Sequence, residues 1–71
     1  MSDHHTYKKI EIVGSSTQSI DDAIRNAIKQ ASKTTRNLEW FEVMETRGHI
    51  VDGDVGHFQV TLKIGFRIEN S

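Results

Sequence analysis

Cysteine is missing from the 71 residues, and so is proline. The first absence excludes disulfides and thiolate metal sites. Only 5 glycines are present, at positions that read as turns, and no linker, internal repeat or low-complexity segment is visible. An excess of basic residues is also lacking: 9 Lys and Arg stand against 10 Asp and Glu, for a formal net charge of −1. A chain so balanced cannot neutralise a run of phosphates, so nucleic acid is not an expected partner. No apolar run is long enough to cross a bilayer and no signal peptide is read ahead of the fold. A cytoplasmic protein without a membrane partner is the expectation.

What remains is small. At 8.1 kDa and 35% hydrophobic residues, the chain can assemble one sheet-plus-helix core, a single domain over residues 1–71 with 1–5 flexible. Domains of this size bury only about 60% of the surface their unfolded chains expose, and many need a disulfide, a metal or self-association. With thiols excluded, association is the support left.

The stretch "YKKIEIVG" alternates and predicts a strand with Ile10 and Ile12 pointing inward, ending at Gly14. "GSSTQS" is polar and reads as a loop; it lacks the lysine and spacing of a phosphate-binding P-loop. Ile20, Ala23, Ile24, Ala27, Ile28 and Ala31 then recur at helical spacing and predict one apolar stripe. Ser19 followed by Asp22 fits a capping box, and Asp21, Asp22, Lys29 and Lys33 complement the dipole at its two ends. After Asn37 comes a long strand, then a turn at "VDGDVGH" in which Asp52-Gly53 and Gly56 would supply positive φ. The last strand carries Phe58, Val60, Leu62, Ile64, Phe66 and Ile68 on one face and His57, Gln59, Thr61, Lys63, Gly65, Arg67 and Glu69 on the other.

The expected fold is α+β, a β-α-β-β chain with a three-stranded antiparallel sheet partly wrapped around one helix. A right-handed crossover makes the first two strands parallel in direction, and the third fits between them. One helix covers one face. "NLEWFEVMETRGHI" raises the difficulty, because simple alternation puts Leu38, Trp40 and Met44 on one face and Phe41 and Val43 on the other. With Phe41 and Val43 on the covered face, Trp40 points to the bare one, where Gln59 also lies. A tryptophan side chain buries about 150–250 Å², worth about 4–6 kcal/mol at about 25 cal/mol per Å². A subunit or a ligand should cover it. Arg67 shares that face, whereas Arg47 has the wrong parity unless a bulge near Gly48 or a bend shifts the phase.

"YKKIEIVGSS", "SIDDAIRNAIKQASKTTRNLEWFEV", "RGHIVDG" and "FQVTLKIGFR" together resemble the dodecins, small flavin-binding proteins, over nearly the whole chain. The resemblance implies a hollow homododecamer in which paired flavins stack between tryptophans of neighbouring chains. It assigns Trp40 to the stacking, Gln59 to the polar edge of the isoalloxazine, and Arg47 and Arg67 to the pocket and an FMN phosphate. The arginines favour a phosphorylated ligand, so FMN is the expected flavin, with riboflavin or FAD as the alternatives. An indole stacked this closely can pass an electron to the photoexcited ring and return it to the ground state, and leaves no room for a substrate. The implied role is therefore storage and photoprotection, not catalysis, and no catalytic residue is expected. The alternative is a structural module whose open face only mediates self-assembly. The resemblance also implies coenzyme A on the outer surface, with Lys8, Thr34 and Arg36 as candidates; Gln30 stands where related sequences carry a basic residue.

The histidines read as surface residues. His4 and His5 are adjacent at a terminus, and His49 and His57 flank the hairpin, so no metal site is expected. Asp52 and Asp54 belong to the turn, and no Ser-His-Asp set can be assembled.

Overall fold

The computed structural model describes residues 4–70. Residues 1–3 of the segment expected to be flexible therefore lie outside the described residues, and His4 and His5 are exposed and belong to no helix or strand. The elements follow the expected order: β1 (Tyr7–Ser16), α1 (Ile20–Ser32), β2 (Leu38–Val51) and β3 (Asp54–Arg67). They form one three-stranded sheet in the order β1-β3-β2, with β3 antiparallel to both neighbours.

β1 runs two residues past Gly14, further than its alternation implied. Ser15 and Ser16 pair with Gln59 and Phe58, so half of the polar stretch read as a loop is strand. Gly14 makes this possible. A Cβ there would drive into the Ala23 carbonyl and the Ala27 methyl group, where α1 crosses β1. Ser16 then turns the chain: its buried hydroxyl accepts from the Gln18 N–H at 2.8 Å and donates to Asp22 at 2.6 Å. Ser19 caps α1 by accepting from the Asp22 N–H at 3.0 Å. The reciprocal half of the expected capping box is redirected, since the Asp22 carboxylate is held by Ser16 and Asn26.

α1 buries Ala23, Ala27 and Ala31 against Val60, Leu62 and Ile64 of β3, with Ile10, Ile12, Ile20, Ile24, Ile28 and Leu38 packed around them. The expected stripe of isoleucines and alanines is thus not evenly buried, and the isoleucines do not form its centre. The alanines do, because their short side chains let the helix backbone lie close to the sheet, and the isoleucines flank them. Ile68 and Glu69, assigned to the two faces of the last strand, lie beyond its end at Arg67, and Ile68 is 40% exposed.

The helix packs over β1 and β3 and has no comparable contact with β2. Phe41 and Val43 do pair opposite Ile64 and Leu62, on the helix side, yet each stays 46% exposed. β2 is thus bare on both faces beyond Leu38. β2 and β3 meet in a two-residue turn with φ of 51° at Asp52 and 76° at Gly53, the paired positive values of a type I′ hairpin. Gly56, expected in the turn, belongs to β3. Residues 49–57 project past the end of β1 as a two-stranded arm, and the Cα radius of gyration is 14.9 Å, against about 11 Å for a compact chain of this length. Among the described residues, no helix is long and apolar enough to cross a membrane.

Candidate functional site

Two bulges in β2 decide which side chains reach the open face. Direct cross-strand partners project from the same side of a sheet, so the partner on β3 reports each residue's face. Leu38 pairs with Phe66 but Trp40 pairs with Gly65, leaving Glu39 as an extra residue. Leu38 accordingly packs on the core while Trp40 faces away from the helix. The expectation that they share a face is wrong for that reason. Val43 pairs with Leu62 and Glu45 with Thr61, so Met44 is a second extra residue. Past it the phase has shifted, and Arg47 stands opposite Gln59 on the open face. The phase shift Arg47 needed is present, at Met44 and not near Gly48.

The open face therefore presents Trp40, Glu42, Glu45 and Arg47 from β2 and Gln59, Thr61, Lys63, Gly65 and Arg67 from β3. Tyr7, Lys9, Glu11 and Val13 join from β1. Trp40 lies across Gly65: a Cβ on that glycine would enter the six-membered ring of the indole, meeting three of its atoms at once. Gly65 itself is buried beneath it. The Tyr7 ring contacts the indole edge-on, with centroids 5.3 Å apart and planes at 68°. One indole face is thus seated on backbone, while 37% of the residue stays exposed.

Beside it, Lys9 and Glu42 form an ion pair at 2.6 Å across the Gly65 position. The hydrogen bond from Lys9 holds the exposed Glu42 carboxyl below its ordinary value, helped by the Lys9 charge, the Trp40 N–H and Lys63. Glu11, Lys63 and Glu42 lie in one row across the three strands, so charges alternate where like charges would repel.

The expected site residues fall into two groups. Arg47 and Gln59 are neighbours at one end of the face. Trp40 and Arg67 lie at the other, with Arg67 opposite Tyr7. Gly65, under Trp40, is six residues from Gln59 along β3, about 20 Å at about 3.3–3.4 Å per residue. Trp40 and Gln59 are not brought together within one chain. Lys8, Thr34 and Arg36 do come together, lining one concavity with Thr35, Phe66 and Arg67; Arg36 also pairs with Glu69 at 3.3 Å. Sequence reasoning gives Lys9 only the part of a solvated or inter-subunit charge, and gives none to Tyr7, Glu42 or the seat at Gly65. A glycine inside the most regular strand was the available signal for the last.

The Dodecin family model matches residues 6–69. The chain belongs to the dodecin family. A dodecin from Thermus thermophilus is 48% identical over 65 residues, spanning 92% of this chain and 94% of that protein. Among solved structures, the dodecin of Streptomyces coelicolor is 53% identical with a TM-score of 0.93, covering 99% of this chain and 100% of that one. The dodecin from Streptomyces davaonensis is also 53% identical, with a TM-score of 0.91, covering 93% and 97% respectively. The β-α-β-β order and the open three-stranded sheet agree with these dodecin structures.

Proposed function

We propose that this protein binds a flavin, FMN in the first place, without catalysing a reaction on it, and that it does so in a homo-oligomer with the twelve-chain architecture the family resemblance implies. The observation that carries the reading is the seated indole. Trp40 is supported from below by Gly65 and braced at its edge by Tyr7, so its free face is presented as a fixed plane. Stacking on such a plane gains about 0.5–1.5 kcal/mol per aromatic pair beyond the area buried.

The separation of the two groups supports a site made by several chains. A ring that touches Trp40 and Gln59 together must take them from different copies, because about 20 Å of strand separates them in one chain. Gln59 supplies an amide for the polar edge of the ring, and Arg47 beside it a guanidinium for phosphate. Self-association is supported independently by β2, whose Trp40, Phe41, Val43, Met44, Ile50 and Val51 are all between 37% and 80% exposed. Exposed apolar area of this extent on a small domain marks a contact surface. A ring held between indoles has no open side for a substrate, which favours storage and photoprotection over turnover.

The experiment is a fluorescence titration of FMN into the wild type and into Trp40→Ala. Strong quenching and tight binding are expected in the first, and loss of most of both in the second. A Trp40→Ala protein that keeps affinity and quenching overturns the reading. Coenzyme A on the outer surface is a second reading, favoured by the concavity that gathers Lys8, Thr34 and Arg36. Two cations and a hydroxyl suit a phosphorylated nucleotide.

A further inference from the structure

The base of the hairpin arm holds an arrangement that flavin binding leaves unused. His49 and His57 are direct cross-strand partners, so both imidazoles leave the sheet on one face. Their ring centroids are 6.2 Å apart with planes at 79°, and both residues are exposed. Gly48 makes the juxtaposition possible: a Cβ there would meet the His57 carbonyl oxygen at 2.7 Å, so the strands could not approach this closely beside any other residue. Past the pair, a bulge at Gly56 shifts the register and the arm continues as two strands without a third. A ribbon of that kind is marginal in water by itself.

We propose that His49 and His57 form a two-imidazole chelate for a divalent transition metal of the zinc type, which clips the arm at its base. Zinc bonds histidine nitrogen at about 2.0–2.1 Å, and two such bonds at a tetrahedral angle bring the ring centroids to about 5 Å. The rings must close by about 1 Å, a change within reach of side-chain rotation at exposed positions. Imidazole suits zinc, copper and nickel, whereas magnesium and calcium require oxygen ligands. Water completes the shell. Arg47, two residues along the same strand face, disfavours cations held by charge alone and leaves the nitrogen bonds to select the metal.

His4 and His5 are competing imidazoles, so the test uses the full chain in a His4→Ala/His5→Ala background. Zinc chloride titrated into this protein by calorimetry is expected to bind at one ion per chain. His49→Ala and His57→Ala should each weaken it by at least about tenfold, because the second imidazole acts at the effective concentration its scaffold provides. Calcium and magnesium chloride should give no binding. Amide exchange in residues 50–56 should slow with zinc only when both histidines are present. Unchanged melting temperatures of the two variants without metal would assign the loss to the ligands. Absence of zinc binding in the background protein, or binding that survives intact in both single variants, overturns the proposal.

Discussion

The Trp40 indole occupies the space that a side chain at position 65 would need. The two residues are cross-strand partners, and the glycine is the reason the ring lies along the sheet and does not stand away from it. Gly65→Ala should therefore damage the site without touching any residue that contacts a ligand. Overpacking of this kind costs about 1–3 kcal/mol, so a lowered melting temperature and at least about tenfold weaker FMN binding are expected. Differential scanning fluorimetry and a fluorescence titration check both.

The Lys9–Glu42 pair gives a pH signature. Glu42 is held below its ordinary value chiefly by the Lys9 hydrogen bond, so its contribution is present above the unfolded glutamate value and lost as pH falls through the lower folded one. Lys9→Met should move the Glu42 midpoint up towards its ordinary value, as read by carboxyl NMR titration. The effect on stability should be small and should diminish with salt, since both partners are well exposed.

Phe41 tests self-association. It is nearly half exposed on the helix side of a strand the helix does not cover. Covering it in an assembly is worth about 1 kcal/mol per chain, and an unpaired carboxylate in the same place costs more. Phe41→Asp should shift sedimentation towards smaller species at a given concentration while the far-ultraviolet dichroism of the sheet persists.

A fourth measurement concerns the concavity at the end of β3. Lys8→Ala and Arg36→Ala should each weaken coenzyme A binding by about 10- to 100-fold in low salt, as expected for a hydrogen bond to a charged group of about 1.5–3 kcal/mol. FMN binding should be unaffected by either change. Arg36→Ala also frees Glu69, so Glu69→Gln serves as the control for that lost pair.

The helix, the three strands and their order were legible because periodicity reports local burial, and the alternation of β3 from Phe58 to Phe66 is unbroken. The membership of Trp40 and Gln59 on one face could also be read. What alternation could not reveal is a change of phase. Glu39 and Met44 look like ordinary strand residues, and only the pairing with β3 exposes them as insertions. Alternation alone puts Leu38 on the wrong face and leaves Arg47 undecided for the same reason. Likewise, Ser15 and Ser16 have loop-like side chains, but their backbone is committed to the β1 ladder by the clearance at Gly14.

Glu39 and Met44 work as spacers, and their effect is counted in residues, not in chemistry. Any substitution that keeps the backbone path leaves every later side chain where it was. Straightening β2 so that Met44 takes a regular place in the ladder would instead turn Glu45 and Arg47 under the helix and bring Thr46 out, with Trp40 unmoved. The two ends of the strand would then address opposite sides of the molecule. The path of the backbone through this strand therefore matters more than almost any change of letter.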